Sequence, residues 1–393
     1  MEFKKVKLGE IGKIVGGGTP KTKEESYYGG EIAWITPKDL SLNKSKYIFY
    51  GERNITEEGL KNSSAKLLPK GTVLFSSRAP IGYVAIAGND LATNQGFKSV
   101  IPAENVDSEF IYYLLINNVE NIKNFGVGST FREVSGSVMK NIEVMIPDFS
   151  IQRKIAKILN TLDSKIEINN KIISNLESQA QAIFKSWFVD FEPFQDGDFV
   201  ESELGMIPEG WEVSDTQNEF KIEYGKNLPT KKLLDDGYPV FGGNGQIGYY
   251  NEYLYEKPRI IVSCRGAASG KVGISKEFSF VTNNSLVFNE LNESYFFYYK
   301  YMFDRICFEN YVTGSAQPQL TIKNSSNIKI LVPKSQVVLK FNEIIKLLFN
   351  MQNSLNNQNT KLAELRDALL PKLMAGEIDV SNIKIEGEEV KNE

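Results

Sequence analysis

Two long stretches of the chain carry apolar residues at steps of three and four, which is the spacing of one helix face. They cover 150–192 and 335–376, and each predicts a single long helix. A helix of about 40 residues spans roughly 60 Å at about 1.5 Å per residue. Neither helix has a globular segment of its own in the sequence to cover its apolar face, which we call its seam. We therefore expect the two helices to form an antiparallel pair that buries both seams. The seam residues are Ile151, Ile155, Leu162, Ile166, Leu176 and Ile183 in the first helix and Phe341, Ile345, Leu348, Leu355, Leu362 and Leu369 in the second.

Polar residues interrupt both seams. Asn169 interrupts the first, and Gln352, Asn359 and Arg366 interrupt the second. A buried Asn in such a seam commonly fixes the register of two helices at some cost in stability. A partly exposed seam explains the same pattern, and the sequence leaves both interpretations open.

The chain also repeats itself. Gly128-Ser129-Thr130 recurs as Gly314-Ser315-Ala316, and the run 141–147 recurs as 327–333, at the same offset. Two further matches, 74–78 with 261–265 and 93–96 with 282–285, follow in the same order at slightly larger offsets. An ordered set of matches indicates one duplicated unit.

Each copy precedes one long helix and is rich in β-branched residues. Short apolar runs at 71–75 and 258–262 predict buried strands, and pieces at 107–121 and 293–307 predict helices. We therefore predict an α+β fold: two β-rich domains in a pseudo-two-fold arrangement, separated by the antiparallel pair of long helices. The predicted boundaries are 1–149 and 208–334 for the domains, 150–192 and 335–376 for the helices, 193–207 for a linker, and 377–393 for an acidic, disordered tail.

Composition excludes several kinds of chemistry. The chain has no histidine, which removes His-dependent triads and His-ligated metal sites. Two cysteines cannot form a four-ligand zinc site. The net charge is −4, so any grip on nucleic acid must come from local basic surfaces. The first residues lack an apolar signal region and no run is long enough to span a membrane, so we expect a cytoplasmic protein with no membrane partner.

At this point the motifs resemble those of Type I restriction-modification specificity subunits, over nearly the whole chain from about Val6 to Asp379. The segments that carry the resemblance are VLFSSRAPIG at 73–82, NQGF at 94–97, GSTF at 128–131, FKSWFVDF at 184–191, LGMIPEGW at 204–211 and LLPKLMAGEI at 369–378. The second copy departs from the pattern at Cys264, Gly266 and Asn284-Ser285, which affects the loop geometry expected there.

The resemblance implies a non-catalytic subunit with two target-recognition domains. It implies double-stranded DNA and two modification subunits as partners, the latter binding S-adenosylmethionine and methylating adenine at N6. It also implies restriction subunits that use ATP and Mg; no cofactor is expected on this chain. Two alternatives remain: a DNA methyltransferase in its own right, against which the absence of Asn-Pro and Asp-Pro dipeptides argues, and a coiled-coil scaffold that does not bind DNA.

Arg78 and Arg265 occupy equivalent positions, each after an apolar strand. Each can clamp phosphate or pair with guanine, and an ion pair inside the domain is the alternative. A position shared by two different readers carries no sequence information, so phosphate is favoured over base. We expect base readout where the copies diverge, because Asn and Gln can pair with adenine.

The residues expected to contact DNA in the first domain are Thr19, Lys21, Lys23, Trp34, Thr36, Lys38, Ser77, Arg78, Asn94, Gln95, Ser129, Thr130 and Arg132. In the second domain they are Lys226, Asn227, Asn244, Gln246, Arg265, Lys271, Asn283, Asn284, Ser315 and Gln317.

Overall fold

A computed structural model describes residues 1–43, 45–128, 132–314 and 317–383. The chain forms two compact units. Unit 1 comprises Met1–Lys171 and Leu355–Glu393, and unit 2 comprises Ile172–Ser354. Each unit therefore contains one β-rich domain and one segment from each long helix.

In unit 1 and the helix that leaves it, strands and helices alternate irregularly. The strands are β1 (Phe3–Lys7), β2 (Gly12–Gly16), β3 (Tyr28–Ile35), β4 (Tyr47–Ile48), β5 (Arg53–Ile55), β6 (Val73–Ser77), β7 (Ile81–Ala87), β8 (Ala92–Thr93), β9 (Lys98–Pro102) and β10 (Glu143–Pro147). The helices are α1 (Leu8–Ile11), α2 (Pro37–Leu42), α3 (Glu57–Lys61), α4 (Ser108–Asn124), α5 (Gly136–Asn141) and α6 (Phe149–Phe188).

Unit 2 and its helix follow. The strands are β11 (Phe199–Ser202), β12 (Gly205–Pro208), β13 (Glu212–Asp215), β14 (Phe220–Tyr224), β15 (Tyr238–Gly242), β16 (Gly245–Tyr250), β17 (Ile260–Ser263), β18 (Val272–Ile274), β19 (Phe280–Val281), β20 (Ser285–Glu290) and β21 (Lys329–Val332). The helices are α7 (Thr216–Glu219), α8 (Phe296–Phe303), α9 (Ile322–Ser326) and α10 (Ser335–Met374).

The two units share one sheet plan. The order β2-β9-β6-β7-β4 in unit 1 corresponds to β14-β20-β17-β18 in unit 2, and β5-β3-β8 corresponds to β16-β15-β19. The first and last strands of each domain also pair antiparallel, β1 with β10 and β13 with β21. The predicted duplication and the predicted α+β class are confirmed.

Both long helices form, although α6 ends at Phe188 rather than at 192. Just beyond its end, Phe191 adopts a left-handed backbone conformation (φ 54°) that a helix cannot continue. The segment predicted as a linker contains the antiparallel hairpin β11-β12.

Within each unit the two helix segments run antiparallel. In unit 1, Asp163 contacts Arg366 and Asn169 contacts Asn359, so positions rise on α6 as they fall on α10. In unit 2, Glu177 contacts Gln352 and Phe188 packs against Phe341 in the same sense. Of the predicted seam residues, Ile155, Leu176, Phe341 and Ile345 are buried, and Ile151, Leu162, Ile166, Ile183, Leu348, Leu355, Leu362 and Leu369 are half-buried.

The seams do more than pack the helices on each other, which corrects the expectation that the helices lack a globular partner. Ile155 lies in a core with Phe110 and Val144 of the unit 1 domain. Phe341 lies in a core with Tyr298 of the unit 2 domain. Each helix follows directly from the last strand of its domain, so its first turns stay beside that domain.

The polar interruptions of the seams are contacts between α6 and α10. Asn169 is fully buried, and its Nδ2 donates to Gln358 Oε1 at 2.7 Å and to Asn359 Oδ1 at 2.8 Å. Gln352 Nε2 donates to Glu177 Oε2 at 3.2 Å, and Arg366 Nη1 donates to Asp163 Oδ1 at 2.8 Å. The interpretation of Asn169 as a buried register residue is therefore the one that the structure supports.

The segment after α10 differs from the prediction of a disordered tail that begins at 377. Val380 is fully buried in the unit 1 core, and Ile378 packs against the same core. Lys154 Nζ also donates to the Ser381 carbonyl at 2.6 Å. Acidic composition suggested a tail, but two apolar residues spaced by two hold 377–383 on the domain.

Across the residues that the structure covers, no helix combines the length and the apolar character needed to cross a membrane.

Candidate nucleic-acid interface

In unit 1, turns from distant parts of the sequence converge beyond the ends of β2, β6 and β9. We call residues 17–23, 76–80, 94–98, 126–128 and 132–134 the unit 1 loop surface. The Thr19 hydroxyl donates to Gln95 Oε1, and Gly17 packs so tightly on the Asn94 carbonyl that no side chain fits there. Ser77 N donates to the Gly96 carbonyl at 2.7 Å. The structure thus brings together several of the residues predicted to bind DNA.

Arg78 belongs to this surface and lies beside a carboxylate. Its Nη1 donates to Glu133 Oε2 at 3.3 Å, and Lys98 Nζ donates to Glu133 Oε1 at 3.0 Å. The strand bridge between Arg78 and Glu133 fixes the two backbones side by side. Partial burial works against the charged carboxylate, but the hydrogen bonds and charges of Lys98 and Arg78 outweigh it and lower the pKa of Glu133. In the protein without DNA, Arg78 therefore forms the ion pair inside its domain that the sequence left open as an alternative to a DNA contact.

Two of the residues predicted to contact DNA, Trp34 and Ser77, have buried side chains that are already hydrogen-bonded. Trp34 lies in a small apolar cluster, and its Nε1 donates to the Gly18 carbonyl at 3.0 Å. Ser77 is fully buried, and its hydroxyl donates to the Gly96 carbonyl at 3.1 Å. Both residues shape the loop surface from inside and present nothing to a ligand.

Three more predicted residues serve local structure. Thr36 caps α2, accepting from Asp39 N and donating to Asp39 Oδ2 at 2.6 Å. Lys38 pairs with Glu52 at 2.7 Å on an exposed face. Asn94 Oδ1 accepts from Gly96 N at 2.9 Å and so shapes the turn. Lys21, Lys23, Gln95 and Arg132 are exposed.

Unit 2 repeats this convergence. We call residues 225–227, 242–246, 264–271, 282–285, 313–314 and 317–319 the unit 2 loop surface. Asn283 N donates to the Lys226 carbonyl at 3.1 Å, and Lys271 Nζ donates to Asn244 Oδ1 at 2.5 Å. Gly225 packs on the Thr282 carbonyl as Gly17 packs on that of Asn94. Lys226, Asn227, Asn244, Arg265, Lys271, Asn284 and Gln317 are exposed, and Asn283 is half-exposed.

Gln246 is exposed as expected, but its side chain is engaged away from the Arg265 turn. Its Oε1 accepts from Lys276 Nζ at 3.0 Å.

Arg265 is bridged through its backbone to Gln319, as Arg78 is bridged to Glu133. Among the described residues, no carboxylate oxygen lies within 4.0 Å of the Arg265 guanidinium. The side chain is exposed. The ion pair of unit 1 therefore has no counterpart in the described part of unit 2.

Backbone hydrogen bonds shift one of the repeat matches found in the sequence, that of 93–96 with 282–285, by one position. Ser77 N donates to the Gly96 carbonyl, and at the equivalent place Cys264 N donates to the Asn284 carbonyl. Strand partners agree, since Ile35 pairs with Thr93 where Phe241 pairs with Val281. Asn284 is thus equivalent to Gly96, and Asn283 to Gln95, one position from the match read in the sequence.

Ser129, Thr130 and Ser315 of the predicted DNA contacts lie outside the described residues. The flanking residues are bridged in the same way in both units, Val127 with Glu133 and Thr313 with Gln319.

Sequence reasoning missed Lys98 and Glu133. Lys98 directly follows the motif at 94–97, and Glu133 directly follows the motif at 128–131 and Arg132. Each could have been found as a charged residue that borders a repeat motif while its repeat equivalent is uncharged.

Among the described residues, no group of three or more Cys, Asp and Glu side chains is placed to hold a metal ion. The two cysteines are free. The chemistry that the two loop surfaces offer is donation from guanidinium, ammonium and amide groups, which suits phosphate oxygens and base edges.

Comparison with known proteins identifies the chain's relatives. A family model described as the Type I restriction modification DNA specificity domain matches residues 1–178 and 208–366. The Type I restriction enzyme MjaIX specificity subunit of Methanocaldococcus jannaschii is 38% identical over 97% of this chain and 94% of its own length. The Type I restriction enzyme HindI specificity subunit of Haemophilus influenzae is 26% identical over 88% of this chain and 94% of its own.

A solved structure has a similar fold. The crystal structure of a Type I restriction-modification system S subunit from M. genitalium superposes with a TM-score of 0.60 at 20% identity, covering 95% of this chain and 96% of that one.

Proposed function

The chain belongs to the family of Type I restriction-modification DNA specificity subunits, and we propose that it reads a bipartite DNA target, one half with each loop surface. The observation that carries the proposal is that the same repeat turns converge in both units, and that each set of turns includes Arg78 or its equivalent Arg265. Two copies of one DNA-binding loop surface imply two half-sites.

We propose that the chain itself performs no chemistry and binds no cofactor. In this proposal two modification subunits bind S-adenosylmethionine and methylate adenine at N6, and restriction subunits use ATP and Mg. DNA is the common substrate, so the cytoplasm is the expected location. The duplicated plan supports two modification subunits, because one docking surface repeated twice binds two equal partners.

The helices supply the docking surface for the modification subunits in this proposal. Their seam residues are buried or half-buried, while Lys157 and Lys165 of α6 are exposed. Lys157→Glu with Lys165→Glu should abolish co-purification with the modification subunits and leave the circular dichroism of the chain unchanged. Co-purification at the wild-type level would contradict this docking surface.

The function is tested by reconstituting the chain with its modification subunits and mapping N6-methyladenine on treated DNA. The expected result is methylation at a split sequence. Replacing residues 1–149 with the first domain of another specificity subunit should change one half of that sequence only. A change in both halves, or in neither, would contradict the assignment of one half-site to each domain.

The two alternatives give different results in the same preparation. Methyl transfer by the purified chain alone, with S-adenosylmethionine, would establish an enzyme. Unchanged DNA mobility with the modification subunits present at low salt would favour a scaffold that does not bind DNA.

A further inference from the structure

The two loop surfaces differ in charge at equivalent backbone positions. The bridges Arg78–Glu133 and Arg265–Gln319 correspond, and so do Val127–Glu133 and Thr313–Gln319. A carboxylate in unit 1 therefore stands where a neutral amide stands in unit 2. Because Glu133 and Gln319 make matching backbone bridges and have side chains of similar size, this exchange changes electrostatics more than shape.

Glu133 engages both cations beside it. Its two carboxylate oxygens accept separately, Oε2 from Arg78 at 3.3 Å and Oε1 from Lys98 at 3.0 Å. The Glu133 and Arg78 side chains are 35% and 34% exposed, and that of Lys98 is 15% exposed. Arg78 and Glu133 are thus partly open to an incoming phosphate, while Lys98 lies mostly buried beside them.

Among its described residues, unit 2 lacks the carboxylate, the ion pair of the arginine and the cation at the position equivalent to Lys98. Gln319 carries no charge, and Arg265 is exposed with no carboxylate within 4.0 Å. The position equivalent to Lys98 is Leu286, because Phe97 and Ser285 occupy matching bridges with Ser76 and Ser263, and Leu286 is fully buried. Arg132, next to Glu133, is replaced by Pro318.

We propose that Glu133 competes with DNA phosphate for Arg78 and Lys98 and so weakens the sequence-independent affinity of the unit 1 loop surface. Gln319 leaves Arg265 available to phosphate in unit 2. The first half-site is then held mainly through base contacts, whereas the second has a stronger salt-dependent component. The inference rests on the proposed function.

The physical basis is competition between two anions, the Glu133 carboxylate and a DNA phosphate, for the same two cations, Arg78 and Lys98. A cation that neutralises a phosphate releases condensed counterions, and log Kobs falls with log salt concentration by about 0.9 per phosphate contact. A cation already neutralised by a carboxylate contributes less to that slope, and the carboxylate repels phosphate. Removing the carboxylate charge should therefore raise affinity for any sequence, with little effect on base discrimination contacts themselves.

The repeat offers a reciprocal experiment, since Glu133→Gln and Gln319→Glu are nearly isosteric and opposite in sign. Each variant is assembled full-length with the modification subunits, and binding to a specific and to an unrelated duplex is followed by fluorescence anisotropy across salt concentrations. For the unrelated duplex, E133Q should bind about 3–10-fold tighter with a slope steeper by about one, and Q319E should bind weaker with a shallower slope. The ratio of specific to unrelated affinity should stay near the wild-type value for E133Q, because a phosphate contact adds the same affinity to both duplexes.

Glu143→Gln is the matched control. Glu143 pairs with Lys5 at 2.6 Å on an exposed face of unit 1, so E143Q makes the same change in net charge away from the loop surface. E133Q binding with the affinity and salt slope of E143Q would overturn the proposal. Q319E with unchanged affinity would overturn it for unit 2, whatever the fold of E133Q.

A second pair of variants separates the inference from the function on which it rests. Arg265→Gln should lower affinity for the unrelated duplex more than Arg78→Gln does; an equal loss, or a larger loss for Arg78→Gln, would contradict the inference. A wild-type complex that binds neither duplex would reject the proposed function. A wild-type complex that binds both, with E133Q unchanged, would reject only the role of Glu133.

Discussion

At the scale of single residues, the sequence shows which side chains are polar but not which of them already make hydrogen bonds within the protein. Trp34, Ser77 and Arg265 all resembled DNA contacts in sequence. The structure shows the first two buried with a hydrogen bond already made, and the third exposed. The deciding partners, the Gly18 and Gly96 carbonyls, come from other turns, which no local pattern predicts.

Asp163 predicts how much stability a buried polar contact of this chain contributes. Its carboxylate accepts from Tyr113 Oη at 2.5 Å and from Arg366 Nη1 at 2.8 Å, and it is largely buried. Asp163→Asn removes the more buried of the two carboxylates that pair with Arg366 and leaves the half-buried guanidinium with only the exposed Asp367. After allowing for the partial exposure of Arg366, we expect a loss of about 1–3 kcal/mol in the free energy of unfolding, measured with urea. Glu167→Gln, which breaks the exposed pair with Lys171, should cost less than about 0.5 kcal/mol; equal losses for the two variants would contradict this account.

Glu177 predicts the acid response of unit 2. It accepts from Lys300 at 3.1 Å, from Tyr301 Oη at 3.2 Å and from Gln352 Nε2 at 3.2 Å. Partial burial opposes the charged form, but Lys300 and these hydrogen bonds outweigh it and lower the pKa of Glu177. A carboxylate with a lowered folded-state pKa contributes stability above its unfolded pKa of about 4.3 and loses it as the pH falls through the folded value.

Unit 2 should therefore lose stability as the pH drops below about 4.3. Glu177→Gln should make the stability of unit 2 lower at neutral pH and flatter with pH, as measured by urea unfolding from pH 3 to 7. Glu343→Gln, an exposed change on α10 of the same unit, should keep the wild-type profile. A wild-type profile in E177Q would show that Glu177 does not carry this dependence.

At the scale of elements, length decides what the pattern can predict. The seams of α6 and α10 repeat over many turns, so both helices were predicted nearly to their ends. Short elements such as α1 and β8 carry too few residues for a period, and tertiary contacts decide them. The heptad spacing of Gln352, Asn359 and Arg366 was visible as gaps, but their partners on α6 were not.

Gly225 tests how an element positions a loop surface. It follows β14, and a side chain there would meet the carbonyls of Val281 and Thr282. Gly225→Ala must displace the turn at 282–285, and we expect a loss of about 1–3 kcal/mol in stability together with weaker DNA binding. Gly273→Ala, in β18 of the same unit, has room against Ile261 and should leave both nearly unchanged. DNA binding by G225A as tight as by G273A would argue against a positioning role for this turn.

At the scale of the whole molecule, the duplication was predictable because the motifs recur in order, while the boundary of unit 1 was not. Unit 1 combines the first residues of the chain with the last described ones. Val380 shares a core with Met374, and Phe3 packs against the same core. Sequence separation hides such a contact, so an acidic segment was interpreted as a tail.

Val380 therefore makes a prediction that distinguishes the two units. Val380→Asp places a carboxylate in the unit 1 core, and we expect a loss of at least about 2 kcal/mol in the stability of that unit. Amide hydrogen exchange should accelerate in peptides from 73–147 and leave peptides from 258–333 at the wild-type rate. Ile383→Asp, an exposed change three positions on, should alter neither. Acceleration in both units would mean that they unfold as one cooperative body, and wild-type exchange in V380D would mean that 377–383 contributes nothing to holding unit 1 together.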